Sequence, residues 1–182
     1  MKKLMIAACA VALAAVANAG TCYWGTDIDT YVYKPETNTK LGSTYTALLF
    51  DATAYDQTTL LADFRGDGYD STKVLNTIGV AGGEVYDSKG FGGLVTDQHY
   101  NLYFAIIDSA NDQIFITTDK LVTGPDVNKS VDAYWDTTKA SKAAALETGY
   151  AGMGWYTAVP EPTSGLLLLL GVAGLALRRR RA

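Results

Sequence analysis

Six consecutive apolar residues, Leu102-Tyr103-Phe104-Ala105-Ile106-Ile107, constrain this chain more than any other feature. Side chains alternate between the two faces of a strand, so a run that is apolar at every position predicts a strand covered on both sides. The turn formers Ser109-Ala110-Asn111-Asp112 follow, and Ile114-Phe115-Ile116-Thr117-Thr118 resumes the β pattern. The pair predicts a β-hairpin.

Shorter β signals stand at 21–24, 30–34, 45–50, 74–80, 84–87, 131–135 and 154–157, with Gly82-Gly83 and Gly92-Gly93 read as punctuation. Asp56 is placed to cap a helix at 57–64, and Asp136 or Thr137 an Ala-rich helix at 139–147. No Pro- or Ser-rich linker interrupts residues 20–157. The expectation is one mainly β domain, an antiparallel sandwich or barrel with one or two short helices. Tyr-Asp recurs at Tyr55, Tyr69 and Tyr86, but at unequal intervals, so no solenoid is predicted.

Charge separates this body from its ends. Residues 1–19 hold Lys2 and Lys3 and no acid, and residues 161–182 hold Glu161 against four arginines. The chain carries −4 overall, whereas residues 20–160 hold 18 acids against nine bases, a net −9. An acidic body offers nucleic acid no electrostatic footprint. One His and one Cys between the ends do not make a zinc cage, which takes about four ligands.

Met1-Lys2-Lys3, the apolar run 4–16 and Ala17-Asn18-Ala19 have the order of a signal peptide over 1–19, with cleavage before Gly20 by signal peptidase. The run is shorter than the roughly 20 residues of a membrane span. Ile6-Ala7-Ala8-Cys9 loosely mimics a lipoprotein signal, but the apolar stretch before Cys9 is too short and continues past it. Cleavage would leave Cys22 as a lone thiol, read as a small buried hydrophobe or an incidental thiol.

The other end, 158–182, reads AVPEPTSGLLLLLGVAGLALRRRRA. Pro160 and Pro162 bracket Glu161 in a stretch expected to be extended. An apolar helix at 165–177 would cover about 20 Å, short of the roughly 30 Å hydrocarbon core. Arg178, Arg179, Arg180 and Arg181 form a basic stop that stays cytoplasmic, leaving the acidic body outside. The Pro160-Glu161-Pro162 motif, the leucine run and the arginines, in this order, closely resemble the PEP-CTERM sorting signal. The resemblance covers about 23 residues, by the span quoted. It implies transient insertion in the inner membrane, processing by exosortase, and delivery to the cell surface or polysaccharide matrix of a bacterium with an outer membrane. A permanent single-pass anchor and a sortase substrate share the physical plan. The span is short for the first, and the Leu-Pro-x-Thr-Gly motif of the second is missing.

Candidate chemistry in the body is sparse. A Cys22–His99 dyad has no local support, no Gly-x-Ser-x-Gly elbow accompanies His99, and the many acids make any chosen carboxylate pair uninformative. Asp63, Asp67 and Asp70 form a weak calcium candidate whose spacing departs from the known loop, and Asp27 with Asp29 lacks a third ligand. Arg65-Gly66-Asp67 and the sequon at Asn128 carry no weight. Among the 12 Tyr and three Trp, Trp24, Trp135 and Trp155 near strand ends are candidates for stacking on sugar, and Tyr31 and Tyr33 would share a strand face. The expectation is an exported, non-enzymatic surface or matrix protein associated with polysaccharide and needing no cofactor. The alternative is a small secreted hydrolase acting on extracellular glycans.

Overall fold

A computed structural model describes residues 19–66, 68–87 and 90–158. Its strands are β1 (Ala19–Thr26), β2 (Thr46–Asp51), β3 (Asn76–Ala81), β4 (Glu84–Val85), β5 (Phe91–Val95), β6 (His99–Asp108), β7 (Gln113–Ile116), β8 (Lys120–Thr123), β9 (Ser130–Trp135) and β10 (Gly154–Thr157). Two helices, α1 (Gln57–Arg65) and α2 (Thr138–Ser141), and a 3₁₀ turn at Ser71–Lys73 complete the described elements. The fold is mainly β and sandwich-like, with the large sheet curled into a half-barrel.

The large sheet runs β10-β7-β6-β2-β3-β4, and β8 also pairs with β6. The small sheet runs β5-β1-β9. All ladders are antiparallel except β1–β9, which is parallel from Thr21↔Ser130 to Thr26↔Trp135.

The apolar run explains the layering. Leu102, Phe104 and Ile106 of β6 join Ala47, Leu49, Phe115 and Trp155 in a core shared with Cys22, Trp24, Leu94, Ala133 and Trp135 of the small sheet. Tyr103 and Ala105 point the other way, joining Leu48, Phe50, Ile114, Ile116 and Tyr156 under Leu60 and Leu61 of α1. Each strand that feeds both cores does so by simple alternation. The result is three layers: small sheet, large sheet and helix. Asp56 caps α1 by accepting from the Thr59 N–H at 2.8 Å.

The predicted hairpin is β6–β7, paired from Ala105↔Ile116 to Asp108↔Gln113. Its turn is organised by Asp108, buried yet accepting from the Tyr45 hydroxyl (3.1 Å), the Asn111 amide (2.8 Å) and the Ala110 N–H (3.2 Å). β7 and β8 occupy successive lengths of the same edge of β6, so the chain must break between them. Thr117 fills the break. Its hydroxyl accepts from the Phe104 N–H at 2.9 Å and donates to the Phe104 carbonyl at 3.2 Å, while its own N–H reaches that carbonyl at 3.0 Å. A buried β6 backbone is thereby kept satisfied where no strand lies beside it.

Three expectations are corrected. Gly92-Gly93 lies inside β5 rather than between strands: Gly20 pairs with Leu94 and Thr21 with Gly92, so Gly93, at φ +117°, is the extra residue of a bulge. Segment 30–34 is not a ladder strand. It makes one isolated bridge, Tyr33↔Lys40, and spends other backbone groups on α2, with the Tyr31 N–H on Thr138 Oγ1 and the Tyr33 N–H on Ser141 Oγ. The helix predicted at 139–147 stops at Ser141, because Leu146 is taken up along the edge of β10, bonding Trp155 O and Thr157 N. Covering an open edge outweighs the helix preference of the alanines. Thr137 stands at the N-cap without a side-chain cap bond.

The Thr117 hydroxyl is testable apart from its shape. Thr117→Val should lower unfolding free energy in urea by about 1–3 kcal/mol, since it leaves the buried Phe104 N–H without an acceptor, whereas Thr117→Ser should stay near the parent.

Candidate functional site

The residues singled out from sequence are mostly committed to structure. Trp24, Trp135 and Trp155 are 0%, 4% and 1% exposed, packed on Phe104 and Phe115, so the expectation that they stack on sugar is corrected: they are core. Trp135 donates to the Thr118 carbonyl at 2.8 Å and Trp155 to the Tyr33 carbonyl at 2.9 Å. Tyr31 and Tyr33 do meet edge to face at 6.4 Å, each with a lysine over its ring, Lys40 and Lys142.

Asp63 accepts from the Tyr55 hydroxyl at 2.6 Å, and burial with this bond pushes that phenol up to about 12. Asp70 caps the 3₁₀ turn through the Thr72 N–H and hydroxyl, which hold its carboxyl below the ordinary range. Asp67 lies outside the described residues. Among the described residues no three His, Cys, Asp or Glu are grouped to hold a metal ion. Arg65 is occupied as well, donating to the carbonyls of Thr157, Glu147 and Thr148 at 2.9–3.0 Å.

Cys22 is fully buried between the sheets, its thiol pushed up to about 12 by burial and then by Asp132 and Asp87. His99 is exposed at the start of β6, bonded to Thr123 Oγ1 at 2.9 Å. These placements give no nucleophile and base.

What the fold does assemble is a cleft of about 440 Å³ at the end of β1. β1 leaves its parallel ladder at Thr26 and turns at once: the Thr30 N–H returns to Asp27 O at 3.1 Å, and Asp27 Oδ1 accepts from the Ile28 N–H at 2.8 Å. Asp29 sits at φ +59°, a conformation that Asp tolerates better than most residues. The turn leaves Ile28 87% exposed.

The opposite wall is β4, joined to β3 through Gly82-Gly83. Thr26 Oγ1 accepts from the Val85 N–H and donates to the Val85 carbonyl, both at 3.3 Å. Gly25 makes this approach feasible: at φ +142°, with a Cβ position 1.8 Å from Val85 O, it admits no side chain. Val85 faces inward, so its neighbours Glu84 and Tyr86 face out to the cleft. Tyr86, 56% exposed, lies near-parallel to Tyr134 of β9, with centroids 6.4 Å apart and planes at 24°. Burial, Asp132 and Tyr86 push the Tyr134 phenol up to about 12, so it is a neutral hydroxyl at ordinary pH.

Asp27, Asp29 and Glu84 thus share a cleft with a tyrosine pair, and no Lys or Arg lines it among the described residues. Such a surface offers a flat ring face, hydrogen-bond acceptors and negative charge. Asp27 and Asp29 were visible as a pair in the sequence. Glu84, Tyr86 and Tyr134 were not, because strand pairing alone brings them together, and Tyr86 stood out only within the short β signal at 84–87 and a recurring Tyr-Asp dipeptide.

Residues 158–181 match the family profile for the PEP-CTERM protein-sorting motif. The match concerns the C-terminal signal and carries its implication of exosortase processing, export and cell-surface sorting in Gram-negative bacteria. No curated protein and no solved structure matches the chain. Pro160, Glu161 and Pro162, the apolar segment 165–177, Arg178–Arg181 and Ala17 lie outside the described residues. Ala19 and Gly20 open β1, paired with Val95 and Leu94. No helix among the described residues is long and apolar enough to cross a membrane.

Two outcomes follow from these placements. Gly25→Ala should cost about 3 kcal/mol or more, or prevent folding, measured by denaturant unfolding, because both its φ and its clash are with fixed backbone. Cys22 should resist iodoacetamide in the folded protein and react once unfolded. The neutral thiol contributes stability below its ordinary value of 9.0, and that contribution falls away as pH climbs toward about 12. Ready alkylation of the native protein would contradict this.

Proposed function

We propose that this chain is an exported, non-enzymatic surface or matrix protein whose folded body is delivered by removal of its ends and then associates with polysaccharide. The observation that carries the delivery reading is the junction of body and signal. β10 ends at Thr157, the Ala158 N–H is bonded to Asp112 O at 2.7 Å, and the sorting motif begins at residue 158. Loss of the residues beyond that junction removes no described strand, helix or core side chain. The acidic body remains after the basic ends have served as signals for signal peptidase and exosortase.

Polysaccharide association is supported by the cleft, where exposed Tyr86 is backed by Tyr134 and flanked by carboxylates. The same carboxylates are where a hydrolase reading would have to be sought. Paired acids act in glycoside cleavage only at defined separations, with one of them held protonated.

Intact mass of the protein recovered outside the cell should correspond to a chain that starts at Gly20 and lacks the residues after the Pro160–Pro162 region. Recovery of the whole tail from membranes of cells with active exosortase would count against the delivery reading. Release of reducing sugar by the exported protein, abolished in Glu84→Gln, would replace the non-enzymatic reading with the hydrolase.

A further inference from the structure

We infer that the cleft between the Asp27–Thr30 turn and β4 binds a positively charged amino sugar, a de-N-acetylated hexosamine unit of a polysaccharide. The inference rests on the polysaccharide reading above and adds to it a place on the molecule and a charge.

Three observations lead there. The first is a cavity of about 440 Å³, inside the usual range for small-molecule sites of roughly 300–1,000 Å³. The second is apolar surface that the fold does not use: Tyr86 is 56% exposed and Ile28 87% exposed, both in the same lining. Tyr86 is not a loose ring. Its backbone bridges Gly25, and its ring lies along Tyr134. A fixed aromatic face accepts the C–H face of a pyranose at little entropic cost.

The third is the sign of the charge. Asp27 and Asp29 come from one turn and Glu84 from another strand, and among the described residues of the lining there is no Lys or Arg to neutralise them. Uronates would be repelled by this wall, and a neutral hexose would leave its charge unused. An ammonium on the ring uses both the carboxylates and the ring face. A bare cation is a poorer fit, because no metal-holding group of three ligands occurs among the described residues.

The test is calorimetric titration of the exported, processed protein with four probes: a glucosamine tetramer with charged amines, its N-acetylated counterpart, a uronic-acid tetramer and tetralysine. The glucosamine tetramer should bind at least about tenfold tighter than the N-acetylated one, a margin that shrinks as salt is added. Tyr86→Ala should weaken both hexosamine probes about tenfold, with Tyr86→Phe restoring them. The double variant Asp27→Asn, Glu84→Gln should erase the preference for the amine without losing the N-acetylated probe. Thermal melts confirm that each variant is folded. Equal or better binding of the N-acetylated or uronic probe would overturn the charge and leave polysaccharide association standing. Tetralysine binding as tightly as glucosamine, indifferent to Tyr86→Ala, would overturn the sugar. Failure of all the sugar probes would remove this inference and the polysaccharide reading together, leaving the delivery reading untouched.

Discussion

From Leu102 to Ile106, β6 has no solvent face, and the arrangement of every other layer follows from that. Its alternate side chains must be covered twice, by the small sheet on one side and by α1 on the other. A strand in this position has no water to satisfy its backbone, so both edges must be paired along its length. β2 supplies one edge, and β7, Thr117 and β8 in succession supply the other. The threonine hydroxyl lets one edge be shared by two strands. That division frees β8 to follow the curl of the sheet toward β9, where Lys120 reaches the Tyr134 carbonyl at 2.7 Å.

Periodicity was readable wherever burial was two-sided or a cap was local. The β6–β7 hairpin, β2, β9, β10 and the Asp56-capped helix all stand where the residue pattern puts them, give or take end residues. What escaped depended on partners distant in sequence. Gly92-Gly93 looks like a turn unless β1 is known to lie beside it with a bulge. Residues 139–147 look helical until the edge of β10 claims Leu146. The three tryptophans are ambiguous for a related reason: an indole near a strand end suits a binding face or a core, and only the packing of Phe104 and Phe115 decides. The cleft was least legible, since its two walls, the Asp27–Thr30 turn and β4, are 54 or more residues apart along the chain and meet through Gly25.

The C-terminal signal is readable because a sorting motif is recognised as linear sequence. The body is the reverse case, with few motifs and much topology. Its excess of carboxylates is spread over turns and caps, where Asp27, Asp56, Asp70 and Asp108 each hold backbone N–H groups. Much of the negative charge therefore serves local geometry. Where the fold brings Asp29 and Glu84 in beside Asp27, against a pair of rings, charge collects into a surface feature.

Arg65 has a mechanical consequence. Its guanidinium grips the Thr157 carbonyl, the last residue of the last strand, and also the 147–148 loop, tying both to the end of α1. β10 is antiparallel to β7 and meets it by Thr157↔Gln113 first from the C-terminal side. A pull from the C-terminal end would peel such a strand one pair at a time, the weakest geometry for a sheet. The load must first break the Ala158–Asp112 bond and detach Thr157 from a cation held on a different layer. A body tethered by that end is thus reinforced where the strain would enter it.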